Sequence, residues 1–196
     1  MIAIVKYDAG NVLSVLNALR RLGVTEWDLT ADPSRLTSAD KVLLPGVGDA
    51  SVALNGLRSL GLDSVILSIR KPVLGICVGM QILCRHSEEG DADCLGVFDT
   101  DVRRFRPDDP DLKVPHMGWN QIEGLSSGLF DGIKEGAYMY YVHSYYAEIC
   151  PDTIASSLHG ERFSAALRRD NFYGTQFHPE KSGSDGARLL KNFLEL

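Results

Sequence analysis

The sequence predicts an α/β fold: a three-layer sandwich in one domain over residues 1–196, with a mostly parallel central sheet and extra antiparallel strands in the second half. Three observations predict it. Short apolar runs alternate with helical periods through the first half. Those runs are apolar on both faces, as strands of a parallel sheet covered by helices must be. From about Val97 the pattern turns strand-rich, with closely spaced turns.

Each element has its own reason. Ile2-Ala3-Ile4-Val5 reads as a buried strand, and Val12, Val15, Leu16, Leu19 and Leu22 then fall at helical spacing until Gly23 closes the helix. Trp27 to Thr30 is a weaker strand, and Val42-Leu43-Leu44 is another that ends in Pro45-Gly46-Val47-Gly48. Helical material from Ala53 to Ile69 is expected to break at Gly56 and Gly61. Val73-Leu74-Gly75-Ile76 is the next strand, with helix again over Met80 to Arg85. Tyr138 to His143 and Phe172 to Phe177 are the clearest strands of the second half, and a helix over about Ser184 to Leu194 closes the chain.

Composition narrows the function classes. The hydrophobic share of 44% and charged share of 23% are those of an ordinary soluble globular protein. A net charge of −6 argues against a nucleic-acid partner, whose usual footprint is a clustered basic surface. Arg103-Arg104-Phe105-Arg106 is the nearest basic cluster; with Asp108, Asp109 and Asp111 close behind, it reads as a solvated turn. Gly90 to Asp93 and Pro107 to Asp111 read as acidic surface loops. No apolar run is long enough to span a bilayer, and the N-terminus enters a strand without a basic, then apolar, leader. Cys77, Cys84, Cys94 and Cys150 lack the paired spacing of a zinc site, so reduced thiols in a cytoplasmic protein with no metal and no cofactor are expected.

The chemistry-bearing stretch is Gly75-Ile76-Cys77-Val78-Gly79, a nucleophile between glycines where a strand gives way to a helix. Such a tight bend pushes the central side chain out at the carboxyl edge of the sheet, and glycines spare collisions with neighbouring backbone. A helix N-terminus would favour thiolate at Cys77, and the Val78 N–H would face a forming oxyanion. A buried structural cysteine would carry the same five letters. A thiolate in acyl chemistry needs a base. His86 and His159 lie in polar stretches and read as solvated; His116 and His143 suit core positions with satisfied nitrogens. His178 stands in Phe177-His178-Pro179-Glu180, where the proline holds it extended and Glu180, two residues on, shares its face. Cysteine, histidine and glutamate then supply nucleophile, base and orienter.

Gly75-Ile76-Cys77-Val78-Gly79-Met80-Gln81 together with His178-Pro179-Glu180 resembles the class I, triad-type, glutamine amidotransferases, over essentially the whole chain. The resemblance implies a flavodoxin-like fold and a reaction in which Cys77 attacks the side-chain amide of glutamine, releasing ammonia and leaving a thioester for water. It makes His178 the proton shuttle and Glu180 its orienter. Pro45-Gly46-Val47-Gly48 matches the family's oxyanion loop, so backbone N–H groups of Val47 and Val78 become the oxyanion donors. Gly48, Gln81, Ser144 and Tyr145 become the glutamine-binding residues.

Within the family, Tyr7-Asp8-Ala9-Gly10-Asn11, Pro115-His116-Met117-Gly118-Trp119-Asn120, Val142-His143-Ser144-Tyr145 and His178 to Ser182 are similar to the glutaminase subunits of imidazole glycerol phosphate synthases, which serve histidine biosynthesis. That likeness implies a heterodimer with a separate synthase, a (β/α)₈ barrel, and places Asn11, Trp119 and Lys181 at the interface or ammonia passage. Val12-Leu13 stands where Leu-Arg is common in the family, and Val78 where Leu is commoner. The rival readings are a glutaminase subunit for pyridoxal phosphate or anthranilate synthesis, a cysteine peptidase or deglycase, and a binding module without activity. The Pro115-to-Asn120 segment argues against the first, Gln81 and His178-Pro179-Glu180 against the second, and the intact set of Cys77, His178 and Glu180 against the third.

Overall fold

The computed structural model describes residues 1–7, 12–106 and 112–196. In chain order the first half runs β1 (Ile2–Val5), α1 (Val12–Arg21), β2 (Trp27–Thr30), α2 (Pro33–Ser38), β3 (Lys41–Gly46), α3 (Ala50–Ser59), α4 (Leu62–Ser68), β4 (Val73–Cys77) and the single-turn α5 (Val78–Gln81). The second half runs β5 (His86–Ser87), β6 (Ala92–Asp93), β7 (Asp101–Arg104), β8 (His116–Gln121), β9 (Tyr138–His143), β10 (Tyr145–Ala147), β11 (Thr153–His159), β12 (Glu161–Arg169), β13 (Phe172–Thr175) and α6 (Gly183–Glu195).

A seven-stranded sheet of order β11-β12-β13-β4-β3-β1-β2 forms the middle. Its strands β2, β1, β3, β4 and β13 are mutually parallel, and β12 and β11 continue it antiparallel. The chain steps from β1 outward to β2 and then back across to β3 and β4. Right-handed crossovers therefore put α1 on one face and α2, α3 and α4 on the other, which makes the three layers. β3 from Val42 and all of β4 are buried, as strands covered on both faces should be. A four-stranded sheet β10-β7-β5-β6 and an antiparallel β8-β9 ribbon lie outside the main sheet. No helix among the described residues is long and apolar enough to cross a membrane.

Local chemistry explains the boundaries. Val15, Leu16, Ala18 and Leu19 form the buried stripe of α1, and Gly23 ends the turn after it at φ +77°. Asp49 caps α3 by accepting from the N–H groups of Ser51 and Val52. Asp32 does the same for α2, followed by Pro33 at the first helical position; the sequence reading missed this helix because six residues are too few for a period.

Other expectations need correction. Gly56 does not interrupt α3; a single glycine costs a helix only about 1 kcal/mol, and Ala53, Leu54 and Leu57 are buried around it. The break falls at Gly61 alone, in the left-handed region. β3 extends through Pro45 and Gly46, because pairing with β1 has already ended at Leu43. The helix after Cys77 stops at Gln81 rather than Arg85. The last strand ends at Thr175. Arg103 and Arg104 belong to β7, where Arg103 pairs with Glu88, Asp101 and Glu148, and Arg106 just beyond it pairs with Glu88, so two of the three arginines are ion-paired and the cluster begins as strand rather than as a solvated turn. Pro107 to Asp111 lies outside the described residues.

Candidate active site

The parallel strands bring their carboxyl ends to one edge, where open α/β sheets bind ligands. Cys77 ends β4 there, with φ 55° and ψ −113°, a strained region for a residue with a side chain. What forces the bend is the closeness of β3. A β-carbon on Gly79 would overlap the Leu44 carbonyl oxygen, and one on Gly46 would overlap the Gly79 amide nitrogen. Backbone thus lies directly on backbone, and Val47 and Val78 emerge side by side at the rim of one cleft. The Tyr7 hydroxyl, buried beyond the end of β1, donates to the Pro45 carbonyl at 2.7 Å and ties that loop down. Burial pushes the Tyr7 phenol pKa up, and the neighbouring Cys77 adds to the shift. The helix after Cys77 is one turn long, so its dipole is much weaker than the sequence suggested.

The opposite wall comes from side chains of the second half. His178 follows β13 in extended geometry, φ −96° and ψ 95°, before a short 3-10 turn at Pro179–Lys181. Its Nδ1 lies 2.8 Å from Glu180 Oε1, with both side chains 1% exposed. Ser182 Oγ accepts from the Tyr140 N–H at 2.9 Å and donates to the His178 carbonyl at 2.7 Å, pinning the turn to β9. Arg21 of α1 donates to the Glu180 carbonyl at 3.2 Å. Burial works against a charge on His178, yet the Cys77 sulfur and Glu180 outweigh it and raise its pKa to about 10. His178 Nε2 is buried and makes no hydrogen bond of ordinary geometry among the described residues, so its coupling to Cys77 is a contact still to be tightened.

The cleft has a volume of about 180 Å³ and is lined by Val47, Gly48, Cys77, Val78, Gln81, Glu89, Val142, His143, Ser144, Tyr145 and His178. Eight residues singled out in the sequence therefore share one cavity, and Glu180 stands directly behind it. Glu89, read as part of no site, lines it too and accepts from the Ala50 N–H at 2.8 Å. Burial raises the Glu89 pKa, opposed by that N–H and reinforced by Asp49. Gln176 was also missed: it is fully buried, and its Nε2 lies 3.7 Å from Cys77 Sγ. A polar residue two positions before His178 on an extended segment was the signal that could have found it.

The remaining histidines divide as follows. His116 and His143 are buried, with His116 Nδ1 2.9 Å from His143 Nε2 and His143 Nδ1 2.7 Å from the Tyr145 carbonyl. Burial, with His159 nearby, lowers the His116 pKa to about 4. Burial first, and then the neighbouring histidines, lowers His143 to about 3 against the opposing Tyr145 carbonyl. His159 is not simply solvated: it stacks on His116 at 4.1 Å. His86 is half-buried between Asp91 and Asp93.

Trp119 is 54% exposed on β8, its ring 6.0 Å from Tyr140, and the Lys181 ammonium lies 5.7 Å over the same tyrosine. Trp119 and Lys181 therefore share one surface patch beside the His178 turn. Asn11 lies outside the described residues. Among the described residues no group of three or more histidine, cysteine, aspartate or glutamate side chains is placed to hold a metal.

The family profile for class I glutamine amidotransferases matches residues 4–196. A Bacteroides thetaiotaomicron protein named imidazole glycerol phosphate synthase subunit HisH is 56% identical over 195 residues, covering 100% of this chain and 99% of its own. The protein of the same name from Escherichia coli K12 is 47% identical over 197 residues, with the same coverage. Among solved structures, a Thermoplasma acidophilum chain provisionally assigned to GMP synthase superposes with a TM-score of 0.75 at 23% identity, over 99% of this chain and 92% of that one. At that identity the likeness speaks for the fold alone.

Proposed function

This chain belongs to the class I glutamine amidotransferase family, and we propose that it is the glutaminase subunit of an imidazole glycerol phosphate synthase in histidine biosynthesis, acting in the cytoplasm as one amidotransferase unit. The two HisH relatives support the reading, being 56% and 47% identical along the full chain. The observation that carries the chemistry is the cleft into which β4 and the His178 turn bring Cys77 and His178, with Glu180 bonded behind. Its volume of about 180 Å³ suits one amino acid better than a nucleotide.

In the proposed reaction the Cys77 thiol gives its proton to His178 and the sulfur attacks the side-chain amide carbon of glutamine. The oxyanion takes hydrogen bonds from the backbone N–H groups of Val47 and Val78. His178, steadied by Glu180, returns the proton to the leaving nitrogen, and ammonia departs. Water, deprotonated by His178, then cleaves the glutamyl thioester to glutamate. Gly48, Gln81, Ser144 and Tyr145 hold the substrate. With its pKa raised to about 10 by the Cys77 sulfur and Glu180, His178 keeps the proton it takes from Cys77 at neutral pH, as the charged partner of the thiolate.

Ammonia released to neutral water becomes ammonium, which is no nucleophile, so the product must pass directly to a docked synthase. We assign that role to a (β/α)₈-barrel partner forming a heterodimer over the Trp119–Lys181 patch. Met117 and Tyr138, 64% and 54% exposed, extend the patch along the β8-β9 ribbon. The partner is expected to switch the glutaminase on, because uncoupled hydrolysis wastes glutamine; full turnover in the isolated chain would refute this.

The test is a glutaminase assay with and without a candidate synthase. Cys77→Ala is expected to lower glutamine use by about 10⁴-fold or more and to spare ammonia-dependent synthesis by the complex; loss of both would make Cys77 structural. Trp119→Ala is expected to weaken docking or coupling with little change in melting temperature. A collapsed melting temperature would return the ring to a packing role.

A further inference from the structure

We propose that Gln176 is a catalytic residue whose side-chain N–H holds the Cys77 sulfur, in an orientation dictated by the Tyr145 carbonyl on the substrate wall. The proposal rests on Cys77 being the nucleophile.

The Tyr145 carbonyl oxygen is the fixed point, since it can only accept. Gln81 Nε2 lies 2.9 Å from it and His143 Nδ1 lies 2.7 Å from it, so each presents an N–H to one lone pair. The Gln81 amide nitrogen has a second hydrogen, and it points at Gln176 Oε1, 3.0 Å away. Turning the Gln176 amide over would set nitrogen against nitrogen, so its oxygen must face Gln81. Its Nε2 is thereby left facing Cys77 Sγ at 3.7 Å. An amide direction that coordinates alone leave ambiguous is settled here by the bonding inventory.

The donor matters because of what else surrounds the sulfur. Among the described residues Sγ also interacts with His178, and the Val142 carbonyl lies 4.0 Å from it. A carbonyl can take the thiol proton but can only repel a thiolate. When the proton leaves for His178, the Gln176 N–H is the contact that strengthens, as hydrogen bonds to charged groups do. The same amides tie the sulfur to Gln81 and Tyr145, so nucleophile and substrate wall are registered to each other through Gln176. All three links join residues far apart in the chain, and Gln176 itself is completely buried.

The test uses the full chain with its synthase partner, in Gln176→Glu (same shape, oxygen for nitrogen) and Gln176→Leu. Cys77 alkylation by iodoacetamide at neutral pH is expected to slow about tenfold, with its pH profile moved to the alkaline side. Glutamine kcat should fall by a similar factor while KM stays within about twofold. Folded variants that alkylate at the wild-type rate and pH would overturn the proposal. Should both variants fail to fold, the wild-type chain decides: deleting the sulfur in Cys77→Ala must shift one Gln176 side-chain amide proton resonance, and unchanged resonances would overturn it. Alkylation requires no glutamine turnover. A failure of Cys77 as nucleophile therefore shows separately, as glutamine use that survives Cys77→Ala.

Discussion

Where Gly79 meets Leu44, main chain touches main chain; where His143 meets His116, one side chain bonds another across a ribbon. These are the two walls of one cleft. The Pro45–Gly48 and Gly75–Gly79 wall is shaped by the absence of β-carbons, and it offers N–H groups whose positions follow from the strands beneath them. The other wall, His143 to Tyr145 with Gln176 and His178 to Glu180, is held by directed hydrogen bonds between side chains and carbonyls. A wall of the first kind fails by steric overlap. The second fails when a donor or a protonation state changes.

The sharpest way to break the first wall is Gly79→Ala. Helix propensity would make alanine better there by about 1 kcal/mol, but the β-carbon would overlap the Leu44 carbonyl oxygen in backbone that cannot retreat. Overlap should win, with a net loss of about 3 kcal/mol or more in urea denaturation, or no soluble protein. A variant as stable as the parent would show that β3 and the elbow are not in fixed contact.

Tyr7→Phe tests the same wall more gently. It removes the hydroxyl that donates to Pro45, in the loop carrying Val47. Deleting an entire oxyanion donor costs 10²–10³ in kcat, so loosening one should cost roughly tenfold, with glutamine KM little changed. A kcat within twofold of the parent would mean that the strand alone positions the loop.

The smallest effect concerns the second wall and pH. His116 and His143 titrate at about 4 and about 3 in the fold, against 6.5 for a free histidine. Between those values the unfolded chain binds protons that the folded chain refuses, so stability is fully present above about pH 6.5 and drains as pH falls toward 4 and 3. Melting temperature should therefore drop between pH 7 and pH 4.5. The drop should be shallower in a His116→Asn, His143→Asn double variant. Equal slopes in the two proteins would remove these histidines from the acid response.

How much of this was legible in the letters differs between the walls in the same way. The glycine-fenced cysteine follows a local rule, because a tight strand-to-helix bend demands residues without side chains at fixed offsets. His178 and Glu180 follow another, since a proline between them sets the extended geometry. The local mark on Gln176, its place two residues before His178, was slight, and its importance comes from Gln81 and Cys77, 95 and 99 residues away. Glu89 directly precedes Gly90 to Asp93, read as an acidic surface loop, and is held at the cleft by accepting from the Ala50 N–H at the start of α3. The helix after Cys77 was expected longer than its single turn: Ile82 to Arg85 carry a helical letter pattern, but their carbonyls accept backbone bonds from Leu95, Val97, Gly96 and Cys94 instead.

By itself the sequence determined the alternating parallel half, the elbow that carries Cys77, and the histidine–glutamate pair, all consequences of periods and steric rules that act within a few residues. The tertiary structure alone decided that Cys77 and His178 share a cleft, that His116 and His143 stay neutral beneath it, and which amide faces the sulfur. Those outcomes depend on which strands lie side by side and on how buried donors and acceptors must pair, and neither is written in any short stretch of chain.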